Sequence, residues 1–475
     1  MRSQLVFQFM VEAFTTVAFA FLLSFFMVEL ILPHFNILAD KKITFLLGNG
    51  LILSPYFWLA SIVICIAVAL IAGSYPAFYL SAFKPVKILK PGAILAGKFA
   101  SMPRKALVVL QFSVSVSLII GTIVVFRQIH FGQHINPGYE RSNLLNVQLS
   151  PSGKPLDALK NDLLQSGVVV DVAQSSGPAT DVLSNASGFF WKGKGSDFKE
   201  NFAVIAASHS YGSTVGWQIK AGRDFSTDFP SDSAGIILNE TAVKYMGLEN
   251  PVGKIVRWKD GTFNDNSYRI VGVIRDMVMQ SPFEPVKQTI YFMTYAPNFL
   301  YIRVNPEAGS AAALDKIRAV FNKHLPDAVF DFKFVDEQYA SKFAIEKRIG
   351  NLVSFFATLA ILISCLGLFA LTAFTAERRT KEIGVRKVLG ASVLHIWALM
   401  SKEFVLLTII ATLLSTPLAY YFLQNWLLKY QYHTTLSWWI FAIAGLGALV
   451  LTLLTVSFKT IRAALTNPVN ALRSE

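Results

Sequence analysis

The sequence predicts a membrane α-helical bundle of six spans that carries one α+β extracytoplasmic domain. Three observations lead there. Of 475 residues, 53% are hydrophobic and 15% are charged, against roughly 25% charged in an ordinary soluble domain. Six apolar runs free of Lys and Arg are long enough to cross a bilayer, which takes about 20 residues. Between the third and fourth runs lie about 220 residues that alternate strand-like and helix-like patterns. The composition excludes a disordered chain, and two cysteines exclude a disulfide scaffold.

The runs are Val11–Pro33, Tyr56–Leu80, Ala106–Phe126, Asn351–Phe374, Phe404–Trp426 and Trp438–Ser457. Glu29, near the end of the first, is expected at an interface, and Glu12 stands at the start of the same run. Trp438 and Trp439 open the last run as an interfacial aromatic pair would. Cys65 and Cys365 fall inside runs and read as free thiols.

Charge orients the bundle. Lys plus Arg number 43 and Asp plus Glu 30, a net charge of +13. Residues 128–348 hold 23 of each sign, so the whole excess belongs to the hydrophobic flanks. A nucleic-acid-binding domain would carry its own basic face. Of the 20 flanking bases, 16 fall on the side shared by the two termini, the segment 81–105 and the segment 376–402. The positive-inside rule makes that side cytoplasmic and residues 128–348 external. The domains expected are residues 1–105 (two spans and a cytoplasmic linker), 106–127 (one span), 128–348 (the outer α+β domain) and 349–475 (three spans and a cytoplasmic loop).

Within the outer domain, strands are expected at Leu144–Leu149, Val168–Gln174, Gly235–Leu238, Tyr268–Ile274, Thr289–Phe292, Leu300–Val304 and Val329–Val335. Helices are expected at Pro155–Leu164, Thr241–Met246 (stopped by Gly247) and Ala311–His324, the whole forming one or two small lobes. Glu337–Arg348 reads as a helix running into the fourth span, either as one continuous rod or with a kink near Gly350. His130 and His134 stand at a chelating i, i+4 spacing, but just past a span, where polar interfacial residues are expected. Asp224, Glu240 and Asp276 follow strand ends and read as turn and capping residues.

The chain repeats itself weakly. Ser74 to Lys90, closing the second span, matches Ser457 to Arg473, closing the sixth, at Ser, Pro-Val, Leu and a base. Spans one and two thus resemble spans five and six, and the chain reads as about one and a half repeat units, the C-terminal part of a two-unit arrangement.

No P-loop, HExxH, CxxC pair or GxSxG occurs, and no nucleophile, base and orienting group assemble. No cofactor or metal is expected. The richest signal is Ala376 to Ser392, a short basic helix that Gly390 is placed to end, with Ser392 placed to cap the next. Arg379, Glu382 and Arg386 share one face, and Ile383, Val388 and Leu389 supply apolar contacts. A stop-transfer patch needs only charge, whereas this segment interleaves glycines, aliphatics and acids, as a docking element does. Both readings stand on composition alone.

The run Glu377-Arg378-Arg379-Thr380-Lys381-Glu382-Ile383-Gly384-Val385-Arg386-Lys387-Val388-Leu389-Gly390-Ala391-Ser392 resembles the signature of the FtsX-like permeases, in particular their MacB-type branch. Asn467 to Arg473 resembles the closing family pattern, and Pro85 to Leu89 is a looser copy. Gly222-Arg223-Asp224-Phe225, Leu238-Asn239-Glu240, Pro251-Val252-Gly253-Lys254 and Ile270 to Ile274 resemble pieces of a MacB-type periplasmic core. The resemblance implies a permease subunit in a bacterial inner membrane. Its partner would be a separate cytoplasmic ABC ATPase, with a periplasmic adaptor or outer-membrane component as a further possibility. ATP-driven motion would pass through the spans to the outer domain, for export or extraction of a substrate. It implies Glu377, Arg378, Arg379, Lys381, Glu382, Ile383, Gly384, Arg386, Lys387 and Gly390 as the ATPase-coupling loop. The alternative is an ATPase-driven regulator of cell-wall enzymes. A membrane sensor would need a cytoplasmic output domain, and every cytoplasmic segment is under 30 residues.

Overall fold

A computed structural model describes residues 2–45, 51–81, 96–149, 156–195, 201–260, 264–281, 283–293 and 298–465. The motif copies at 85–89 and 467–473 lie outside them. The chain divides into two compact units. One holds residues 1–124, 348–421 and 437–475, and the other residues 125–347 and 422–436.

The first unit is helical. Six helices among the described residues are long and apolar enough to cross a membrane. They are α1 (Arg2–Ala39), α2 (Pro55–Ser81), α3 (Ala96–His134), α9 (Ala344–Arg378), α11 (Val393–Leu427) and α12 (Trp438–Leu465). Each covers one predicted run and outlasts it at one or both ends. α12 buries Ile440, Ala444, Gly445, Ala448, Thr452, Val456, Thr460 and Ala464, a single stripe at three- to four-residue spacing. The contacts are those of helices packed without a hydrophobic drive: small residues and hydroxyls. Thr408 and Thr452 hydroxyls meet at 2.8 Å and those of Ser115 and Ser364 at 3.1 Å. A Cβ added at Gly445 would lie 2.9 Å from Thr412 Cγ2, so glycine lets α11 and α12 approach. α1 and α2 pair at Gly73, whose added Cβ would sit 2.9 Å from Ala13 Cβ.

The second unit is built on one mixed sheet. Its strands are β1 (Leu144–Gln148), β2 (Val169–Ser175), β3 (Asn185–Ala186), β4 (Phe189–Trp191), β5 (Phe202–Ala207), β6 (Ile219–Gly222), β7 (Gly235–Asn239), β8 (Ile255–Asp260), β9 (Asn264–Ile274), β10 (Thr289–Met293), β11 (Phe299–Val304) and β12 (Phe332–Phe334). The path runs β12-β1-β11-β2-β5-β10-β7-β9-β8-β4, with β3 on β5 and β6 on β9. β10 runs parallel to β5 and β7 parallel to β9, while the other pairs are antiparallel. The helices are α4 (Asp157–Gln165), α5 (Tyr211–Val215), α6 (Glu240–Met246), α7 (Ser310–His324) and α8 (Val335–Ser341). At one end of the sheet, α4 and α7 close a core of Leu145, Val147, Leu159, Leu163, Ile317 and Phe321. Towards the other, α6 covers Phe189, Phe202, Ile236, Leu238 and Ile270. Tyr211, Trp217, Tyr291 and Tyr301 fill the middle. Three core clusters thus share one continuous sheet.

The motif Gly222-Arg223-Asp224-Phe225 has a structural reason. Gly222 has φ +74, and a Cβ there would lie 2.3 Å from Val271 O. Arg223 donates two bonds of 2.6 Å to Asp232 and lies over the Phe229 ring. Burial works against the Asp232 charge, yet the Arg223 fork holds its carboxyl below the usual range. Asp224 accepts from Trp217 Nε1 at 2.9 Å, and burial raises its pKa. Asp276 accepts from the Thr241 amide and hydroxyl, and Glu240 from the Asp276 amide. Asp276 and Glu240 thus take turn and capping roles, Asp224 instead holds the Trp217 indole, and Asn239 caps α6.

Two expectations are corrected. Val329–Val335 is a strand only over Phe332–Phe334, since Val335 opens α8. The helix into the fourth span is not continuous from Glu337, and α9 runs through Gly350 as one helix. It breaks at Lys342–Phe343, between α8 and α9. The cause is side-chain chemistry. Phe343 is buried beside Phe283 and Tyr339, and the Lys342 ammonium donates to the carbonyls of Thr180, Met279 and Gln280. Three carbonyl acceptors from two other segments hold Lys342 in a position that a straight helix would not supply.

Candidate functional site

The loop between α9 and α11 is built around one short helix, α10 (Thr380–Val388). α9 ends at Arg378, and Arg379 turns the chain. α10 stops where expected. Gly390 has φ +87, the left-handed conformation that lets the Gly390 and Ala391 amides reach back to Lys387 O and Arg386 O. Ser392 Oγ then accepts from the His395 amide and caps α11.

The structure separates the predicted loop residues into two groups. One group faces inward. Ile383 is buried with Ala376, Ile396, Met400 and Ala464, so it anchors the loop to the bundle rather than offering a contact outward. Gly384 is buried beside it. Lys387 Nζ donates to Ala464 O at 2.7 Å, covering a carbonyl near the end of α12. Arg379 lies 3.5 Å from Glu403, which also pairs with Lys105. Between the two groups, Arg386 and the exposed Glu382 pair along α10 at 2.7 Å.

The other group faces outward. Glu377 and Arg378 are exposed, with Arg378 over the Phe374 ring. Val388 and Leu389 are exposed to 64% and 80%, too far for residues this apolar to be incidental on a segment this short. The Lys381 side chain lies outside the described residues. Sequence reasoning missed Val385. At 48% exposed it joins Val388 and Leu389 at i, i+3, i+4, a ridge that helical spacing could have revealed. It missed Glu403 too, whose role depends on a contact distant in sequence. On the anchored side of α10, Ala373, Glu377, Thr380, Ile383, Lys459 and Arg462 line an open cleft of about 310 Å³.

Of the histidines, His134 Nδ1 sits 2.8 Å from His130 O, and no metal-binding cluster occurs among the described residues. Cys65 and Cys365 are free.

Comparison with known proteins places these features. Residues 354–468 match the model of the FtsX-like permease C-terminal domain, and residues 107–320 that of the MacB-like periplasmic core domain. Over 222 residues the chain is 26% identical to the macrolide export ATP-binding/permease protein MacB of Aggregatibacter actinomycetemcomitans, covering 44% of this chain and 33% of that one. Over 269 residues it is 22% identical to the uncharacterized ABC transporter permease YknZ of Bacillus subtilis, covering 54% of this chain and 66% of that one. The chain therefore spans between a third and two thirds of the length of these relatives. Among solved structures, the periplasmic region of MacB from Actinobacillus actinomycetemcomitans aligns at 16% identity with TM-score 0.31, covering 43% of this chain and 94% of that one. The extracellular domain of YknZ aligns at 16% with TM-score 0.28, covering 40% and 98%.

The six apolar helices and the two family matches define a membrane protein with an α+β extracytoplasmic domain. Within that class, the chain belongs to the FtsX-like permeases that carry a MacB-like periplasmic core domain.

Proposed function

We propose that this chain is the permease subunit of an ABC transporter and transmits ATP-driven motion from a separate cytoplasmic ATPase to its outer domain, for export or extraction of a substrate. One observation carries the reading: α10 presents an exposed apolar ridge, Val385, Val388 and Leu389, on a helix whose opposite side is fixed to the bundle by Ile383 and Lys387. A helix so anchored can dock a partner and pass its displacement into α9 and α11. The charges at its rim set orientation and association rate. The 16-to-4 distribution of flanking bases supports a cytoplasmic loop in an inner membrane, with both termini on that side and residues 128–348 outside. The printed names of the relatives, an ATP-binding/permease protein and an ABC transporter permease, support an ABC ATPase as the partner.

The test uses the tagged full chain, captured from membranes in mild detergent. Charge reversal at Arg379 or Arg386 would also break intramolecular pairs, so the sharper variants are Val388→Asp with Leu389→Asp. A P-loop ATPase should co-purify with the wild type and fall at least tenfold with the double variant, at equal membrane insertion. Undiminished ATPase would end the docking reading. A reporter inserted at the exposed turn at Asp327, rather than near the buried Asp232, should read external. A cytoplasmic signal there would invert the topology.

A further inference from the structure

We infer that the groove between α3 and α9 is a binding site for one anionic phospholipid, held by Arg104 and Arg378. The two guanidiniums lie over the same ring, Phe374, at 4.5 and 4.7 Å. Both are exposed, and neither has an acidic partner among the described residues. Their sequence neighbours differ: Lys105 and Arg379 converge on Glu403. Two cations therefore remain uncompensated, brought together from two helices by an aromatic ring.

Below them runs an apolar groove of about 320 Å³, lined by Leu107, Val108, Gly367, Ala370 and Leu371. Its one neutral polar group is Gln111. That side chain lies against Gly367, where an added Cβ would stand 2.9 Å from Gln111 Oε1. Gln111 has no hydrogen-bond partner among the described residues. An amide facing hydrocarbon is costly when unpaired. Gln111 follows Arg104 by seven residues, about 10 Å along the helix, beneath the headgroup, where the ester carbonyls of a phospholipid offer acceptors. Cation pair, amide and apolar channel thus match phosphate, ester and acyl chain in order. An anionic lipid fits better than a zwitterionic one because two positive charges are uncompensated and the cytoplasmic leaflet is rich in anionic lipid.

This inference rests on the membrane reading of α3 and α9. That reading is tested separately, by whether the chain stays with alkali-washed membranes. The lipid test is native mass spectrometry of the full chain released from micelles that contain equal phosphatidylglycerol and phosphatidylcholine of matched chain length. The wild type should retain phosphatidylglycerol about 10- to 30-fold over phosphatidylcholine, given about a fivefold preference per cation at an anionic surface. Arg104→Gln with Arg378→Gln should bring that ratio near one. Ala370→Phe, on an exposed position inside the groove, should lower retention of both lipids while both arginines remain. No preference in the wild type, or a preference that survives loss of both arginines, would overturn the site. So would Ala370→Phe leaving retention unchanged, which would mean headgroups gathering on a basic patch.

Discussion

The hairpins α1–α2 and α11–α12 are the two sequence-similar parts of this chain, yet they are buried very differently. Both are zipped by a glycine: Gly73 against Ala13 and Met10, and Gly445 against Thr412. Both begin near a glutamate, Glu12 and Glu403. Beyond the zipper they diverge. α12 buries eight residues in a stripe whose last member, Ala464, joins Ile383 and Met400. No residue of the apolar window of α1 is buried, and Phe7, Phe19, Phe26 and Leu30 are each more than 70% exposed. Composition cannot account for this, since both hairpins are apolar all round. The difference lies in the partners, because α11 and α12 pack with α3, α9 and α10 of the same chain. Span-forming sequence sets which helices cross a membrane, and neighbouring helices set which face is covered.

The largest effect should come from overfilling the covered stripe. Ala448→Leu inserts three carbons where α12 is closed, at a cost of about 1–3 kcal/mol. The purified chain should melt several degrees lower. Ala20→Leu, on exposed α1, should leave the melting temperature unchanged. An equal loss at Ala20 would break the comparison, because it would mean that α1 is covered in the membrane.

A smaller effect separates the two glutamates. Glu403 receives Lys105 and Arg379, while Glu12 makes no ion pair among the described residues. The Glu403 network is partly exposed, so Glu403→Gln should cost up to about 1 kcal/mol at low salt. That cost should shrink in 1 M salt, where charges are screened beyond about 3 Å. Glu12→Gln should cost nothing at either salt. A salt-independent loss at Glu403 would assign its role to packing.

The same contrast explains what was legible in the sequence. The six spans were plain because each needs only its own apolar length. The α10 cap was plain because Gly390 and Ser392 act locally. The inward turn of Ile383 was not, since it depends on Ala464, distant in sequence. β5 was missed although Phe-Ala-Val-Ile-Ala-Ala is apolar, because a short run buried among neighbouring strands lacks alternation. β8 was missed because its Arg, Lys and Asp suggest a loop, while its pairing with β9 supplies the strand. The outer-domain motif was visible as a resemblance, but the crowding at Gly222 comes from Val271, distant in sequence.

The smallest effect belongs to the outer ends of the spans. α1 ends beside Asp40, whose carboxylate meets Arg348 in the open, a pair of little worth. Asp40→Asn should therefore not move the melting temperature. α9 instead follows Lys342, whose ammonium is held by three carbonyls while burial lowers its pKa to about 8, opposed by the nearby Asp181 and Glu284. In the unfolded chain a lysine titrates near 10.4. Below pH 8 both states hold the proton, and the folded state carries the desolvation cost in full. Between about pH 8 and 10.4 the folded chain releases the proton that the unfolded chain retains, so this group adds stability as pH rises. The melting temperature of the wild type relative to Lys342→Met should thus increase slightly from pH 7.5 to 9.5. A flat difference would mean that the three carbonyls hold the ammonium charged throughout, and a falling one would place its folded pKa above that of the free side chain.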